Sequence, residues 1–201
     1  MITLHQHDLP ADLRLGDCVA IDTETMGLNP HRDRLCLVQL SAGDGSAHLV
    51  KIHPGDRAPN LCALLRDPKT LKLFHFARFD IAALQQALGV VTTPVYCTKI
   101  ASKLVRTYTD RHGLKELCKE LLGIDLSKQQ QSSDWGAETL SADQQAYAAS
   151  DVLHLHALKM ELDRRLMREG RTDLAQACWD FLPNRAALDL GGWAEPDIFS
   201  H

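Results

Sequence analysis

The chain has 201 residues, 45% of them apolar, and a net charge of about −4. That length suffices for one domain with a real core, and no apolar run approaches the length of a membrane span. The acidic balance argues against the broad basic surface that grips duplexes or long strands. Six dispersed cysteines (Cys18, Cys36, Cys62, Cys97, Cys118 and Cys178) form no C-x-x-C pair, so buried reduced thiols are expected in place of a zinc site or a disulfide framework. The first residues, MITLHQHDLPADLRLGD, are too polar for a signal peptide. A cytoplasmic location is expected.

In chain order, residues 17–24 (DCVAIDTE) read as an apolar strand ending at the first acids. Residues 35–41 and 46–52 read as two more strands around the turn-prone AGDG, giving an antiparallel meander. A helix is expected over 59–66, a strand over 70–76, and a helix from about 78 to 88 closed by Gly89. The second half has helical periodicity over 98–106 and 113–122. Ser141 with Gln144 matches a capping box opening a long helix over about 142–168, and a further helix covers about 172–182. The chain from 183 to 201 carries Leu188, Leu190, Trp193, Ile198 and Phe199, too many apolar side chains for a free tail. It is expected to dock on this subunit or on a neighbour. With no repeat or linker-like run, residues 1–201 are expected to form one domain.

Three acidic segments stand out: Asp22 and Glu24 in AIDTET, Asp80 in FHFARFDIAAL, and Tyr147 with Asp151 in YAASD. Residues two apart on a strand point to one face, so Asp22 and Glu24 share a side. Tyr147 and Asp151, four apart on a helix, share a face as well. Taken singly, each has an ordinary explanation: a polar strand end, an acid in the first turn of a helix, a core tyrosine beside a solvated aspartate. Taken together, in this order and context, they point to one site. Four converging carboxylates repel one another without cations, and carboxylate oxygens are the ligands that Mg²⁺ and Mn²⁺ select.

These segments resemble the DEDD family of 3′→5′ exonucleases, in the subgroup marked by a tyrosine four residues before the last aspartate. The spans TETMGLNPHRDRLCLVQLS, LFHFARFD, CTKIASKLVRTYTDRHGLKELC, SKQQQSSDW and LSADQQAYAASDVLHLH resemble the ribonuclease D branch. With the FLPNRAALDLGGW segment, the likeness extends to its compact nano-RNase C type. The resemblance implies an α/β, ribonuclease H-like (DnaQ-like) fold, with a mixed central sheet flanked by helices. It implies two divalent ions, Mg²⁺ or Mn²⁺, on Asp22, Glu24, Asp80 and Asp151, with Tyr147 positioning a water. It further implies very short RNA as substrate, 5′-phosphorylated dinucleotides above all, and a homo-oligomer in the form of an octameric ring. Processing of longer RNA or DNA 3′ ends is the alternative. The compact type implies a protein without the helical C-terminal domains of full ribonuclease D, and Phe76 stands where many members carry Asn.

The same resemblance marks substrate contacts. Thr25, Met26, Gly27 and Leu28 follow the first motif, and Leu28 either wedges between two bases or packs in the core. His75 and Phe79 flank the second motif. Gln131 and Trp135 lie in a polar run before the third. Arg106, Tyr108, Arg111, His112 and Lys115 form a basic, hydroxyl-rich stretch that holds a 5′ phosphate, meets a neighbouring subunit, or is a solvated helix face.

Overall fold

The computed structural model describes residues 1–127, 132–196 and 198–200. Its centre is a six-stranded mixed sheet: β1 (Ile2–Gln6), β2 (Cys18–Thr25), β3 (Leu35–Ser41), β4 (Ala47–Lys51), β5 (Leu71–Phe74) and β6 (Val95–Cys97), in the order β1-β4-β3-β2-β5-β6. β2, β3 and β4 form the expected antiparallel meander, with Asp22 opposite Gln39 and Leu40 opposite His48. β5 and β6 add in parallel on the β2 side, and β1 adds in parallel to β4. All seven residues of β3 are buried, as a central strand covered on both faces requires.

The described residues also form the helices α1 (Pro59–Arg66), α2 (Ala77–Leu88), α3 (Thr98–Val105), α4 (Leu114–Leu117) widening into a π-type turn over Cys118–Leu122, α5 (Ala142–Leu153), α6 (Leu155–Arg168) and α7 (Thr172–Leu190), the first two of them alternating with β5 and β6. α2 closes at Gly89 in the left-handed region, where glycine carries no Cβ penalty. α5 opens on the expected capping box: Gln144 N donates to Ser141 Oγ at 3.2 Å, and Ser141 N to Gln144 Oε1 at 2.9 Å.

Two helices differ from expectation. The long helix breaks at His154, whose backbone (φ −107°, ψ −4°) separates α5 from α6. The break lets α5 lie across β2, β3 and β4 while α6 packs on α3; tertiary packing decides this turn, since the local sequence holds no glycine or proline. α7 does not stop before Pro183 but runs through it to Leu190. A mid-helix proline costs about 3 kcal/mol, and burial of Trp179, Leu182 and Ala186 on either side offsets it. The last carboxylate of α7, Asp189, accepts two hydrogen bonds from Arg78 of α2, at 2.6 and 2.7 Å, and Arg78 also donates to Ala194 O at 2.8 Å. Among the described residues, no helix is long and apolar enough to cross a membrane.

Candidate active site

β2 and β5 run parallel, and β5 stops at Phe74 while β2 continues to Thr25, which leaves a crevice toward their carboxyl ends, the usual position for a site in an open α/β sheet. Asp22 and Glu24 stand on one face at the end of β2. α5 crosses that face and brings Asp151 to them, so that one carboxylate oxygen from each of Asp22, Glu24 and Asp151 lies within 4.8 Å of the others. Asp80 arrives from the opposite side, in the first turn of α2. It is fixed by Thr23, the residue between the two β2 acids, whose hydroxyl donates to Asp80 Oδ1 at 2.7 Å. The structure therefore brings all four acids to one cleft of about 310 Å³, together with Tyr147.

Burial dominates the electrostatics. It raises Asp22 well above the usual carboxylate range, and repulsion from Asp80, Asp151 and Glu24 adds to it. Glu24 is pushed up to about 9 by burial and then by Asp151 and Asp80. Asp80 is raised by burial, partly countered by the Thr23 hydroxyl, and Asp151 by burial, partly countered by Tyr147. Among the described residues none of the four carboxylates is ion-paired; Asp80 has the Thr23 hydroxyl, and Asp22 has Gln39 Nε2, 3.4 Å from its Oδ2. A buried acid cluster of this kind is held neutral by protons or neutralised by cations. Its all-oxygen donor set fits divalent hard cations.

Tyr147 stands one turn before Asp151. Burial and then the Asp151 charge raise its hydroxyl further above its ordinary range, so it stays protonated and acts as a hydrogen-bond donor. Trp135 lies behind it, with ring centroids 6.0 Å apart. At 3% exposure, in a small core with Leu37, Leu49 and Leu140, Trp135 does not face the cleft as expected of a substrate contact. It backs the Tyr147 ring instead.

The other expected contacts divide. The segment after β2 projects outward, with Met26 52% and Leu28 83% exposed; the core-packing reading of Leu28 is excluded. Its conformation is held from within. Thr25 Oγ1 donates to Gly27 O, Asp33 Oδ2 accepts from Asn29 N at 2.9 Å, and any Cβ at Gly27 would collide with the Asp33 carboxylate. His75, Phe79 and Lys115 line the cleft. His75 Nδ1 pairs with Thr98 Oγ1 at 2.8 Å, and burial followed by the Lys99 ammonium lowers it to about 3, so the ring is neutral. Gln131 lies outside the described residues.

Arg106 is completely buried and is not available to a phosphate. It donates to Arg111 O at 2.6 Å and to Ser102 Oγ at 3.0 Å, and it ion-pairs with Glu120. Ser102 Oγ also meets His112 Nδ1 at 2.8 Å, so Arg106 and His112 act together as struts for the loop leading to Gly113 at the cleft wall. Tyr108 and Arg111 are exposed away from the acids, with the Tyr108 hydroxyl on Glu120. Thr23, Gln39 and Lys99 were not singled out in the sequence, yet all three touch or line the acid cluster.

A mixed sheet carrying this acid quartet at the end of its central strand defines a 3′-5′ exonuclease of DnaQ-like fold. The 3'-5' exonuclease family profile matches residues 6–167, and the chain belongs to that family. Among solved structures it is similar to Brucella melitensis NrnC with bound Mg²⁺, at 60% identity and a TM-score of 0.95, covering 100% of this chain and 98% of that one. It is likewise similar to Brucella melitensis NrnC bound to pGG, at 61% identity and a TM-score of 0.96, with the same coverage. A curated relative, ribonuclease D of Gluconacetobacter diazotrophicus, is 39% identical over 188 residues, 93% of this chain but 44% of that protein. The chain thus spans less than half the length of the curated relatives it matches first.

Proposed function

We propose that this chain is a metal-dependent 3′→5′ exoribonuclease that degrades very short RNA, preferentially 5′-phosphorylated dinucleotides, to nucleoside 5′-monophosphates in the cytoplasm. The observation that carries the reading is the convergence of four carboxylates, Asp80 buried and the other three half-buried, with no ion-pair partner among the described residues and with a protonated tyrosine beside them. Asp22, Glu24, Asp80 and Asp151 would hold two divalent cations, Mg²⁺ or Mn²⁺, which when bound supply an activated water and stabilise the leaving 3′ oxygen. Tyr147 donates its proton in a hydrogen bond that orients the water and does not remove a proton from it. Thr23 and Gln39 aim Asp80 and Asp22. The binding of pGG by the similar Brucella protein supports the short-substrate reading. So does the acidic balance of this chain, which leaves long strands little to gain from counterion release. Turnover at equal concentration of two-, three-, five- and ten-nucleotide RNAs, with DNA alongside, tests it. Rates are expected to fall with length; equal rates at every length would favour general trimming of longer RNA or DNA ends.

The assembly belongs to the same proposal: residues 1–201 act as one domain, and copies associate into an octameric ring. Phe181 in the middle of α7 and Trp193, Ile198 and Phe199 beyond its end leave apolar surface exposed, with the Phe181 and Phe199 rings 6.1 Å apart. Light scattering at micromolar concentration is expected to read an octamer; a monomer or a dimer overturns the ring.

A further inference from the structure

The residue immediately before α2 is Phe76, and its backbone lies in the left-handed region at φ 66°, ψ 41°. Bulky residues rarely adopt that conformation, and where they do the strain tends to mark a functional site. The ring gains little burial in return: Phe76 is 45% exposed. It stands in the wall between two depressions. On one side is the acid cleft; on the other is a groove of about 440 Å³ lined also by Leu28, Phe79 and Ala82. Lys99 reaches across from α3 and places its ammonium 4.0 Å from the ring centroid. One face of the ring is thereby occupied and held, in a cation–π contact.

We infer that Phe76, braced by Lys99, is a stacking platform for one nucleobase of the substrate, and that the adjoining groove receives that base. This rests on the exonuclease reading of the acid cleft. A nucleotide whose phosphate sits at the four acids must carry its base a short distance to one side, and the groove offers a flat, mainly apolar surface at that distance. The cation in the groove, Arg78, is already committed to Asp189, so the groove suits a neutral planar group and not a second phosphate. Leu28, exposed on the far rim, closes the base against the ring.

The test compares kcat/KM on a 5′-phosphorylated diribonucleotide and on two analogues, each with one base replaced by an abasic ribose. Phe76→Asn suits the left-handed backbone while removing the ring, and its melting temperature verifies folding. Phe76→Leu serves the same comparison if the Asn variant does not fold, and Phe76→Tyr retains the ring. Phe76→Asn is expected to lower kcat/KM on the intact dinucleotide about tenfold or more, through KM, as loss of one base–aromatic stack does. It is expected to change little on the analogue that lacks the stacked base, because wild type has already lost that contact there. Phe76→Tyr is expected to remain close to wild type. An equal loss on all three substrates, or no loss on any, overturns the platform while leaving the exonuclease reading intact. No turnover of any substrate by the wild type overturns that reading and the platform with it.

Discussion

Replacing Asp22 by Asn is expected to lower turnover by about 10³-fold or more while leaving the metal-free protein at least as heat-stable as wild type at pH 8. The loss follows from removing a carboxylate that faces the other acids of the cleft. Metal-ion catalysis contributes several kcal/mol of transition-state stabilisation, and each 1.36 kcal/mol is about a factor of ten in rate. Stability should not fall, because Asp22 is buried against like charges and its Gln39 contact is long. Asparagine keeps the shape and removes the repulsion. Tyr147→Phe gives the contrast. It deletes one donor, leaves all four acids, and is expected to slow hydrolysis by about 10²-fold while preserving the stabilisation by added metal. Steady-state assays with thermal melts check both variants. An Asp22→Asn enzyme within tenfold of wild type would sink the assignment, and a wild-type rate for Tyr147→Phe would remove that residue from the water-positioning role.

The sequence discloses the acid site more readily than its supports. Strand periodicity puts Asp22 and Glu24 on one face, and helical spacing pairs Tyr147 with Asp151, so the contributors could be named before their elements were placed. Thr23 falls on the opposite face of β2, and nothing local says that Asp80 of α2 will arrive there, since that contact spans 57 residues of sequence. Arg106 and Trp135 fail for a related reason. A basic residue and an aromatic in polar company look like surface contacts, and only the tertiary structure shows a buried strut and a backing ring. In the fold, β1 escaped because it is a partly exposed strand in a polar N-terminal stretch, and β6 because three residues carry too little pattern to read. α7 passed through Pro183 because packing outweighed a local rule.

The metal-free protein is expected to lose stability as pH rises from about 6.5 to about 8, and Mg²⁺ or Mn²⁺ is expected to reverse the loss. The sign follows from proton linkage. Glu24 holds its proton up to about 9 in the folded chain and only to the ordinary glutamate range when unfolded, and burial raises Asp22, Asp80 and Asp151 in the same direction. Between those limits the folded state binds more protons than the unfolded state, so stability falls with pH. The contribution is fully present below the unfolded values and is lost as pH climbs through the folded ones. Opposing groups bound the window. His75, lowered to about 3, favours folding more as pH rises toward 6.5, and Lys72, lowered to about 8, does so above 8. Between these ranges the acid cluster governs the trend. Cations bind the deprotonated cluster, so their stabilisation should be larger at pH 8 than at pH 6.5. Metal at 100 times its dissociation constant adds about 2.7 kcal/mol, which for a domain of this size is roughly 5–10 °C in Tm. Melting curves at pH 6.5, 7.2 and 8.0, with chelator and with each metal, read the effect directly. A Tm that neither falls with pH in chelator nor rises with metal would mean that the four carboxylates do not form a cation site.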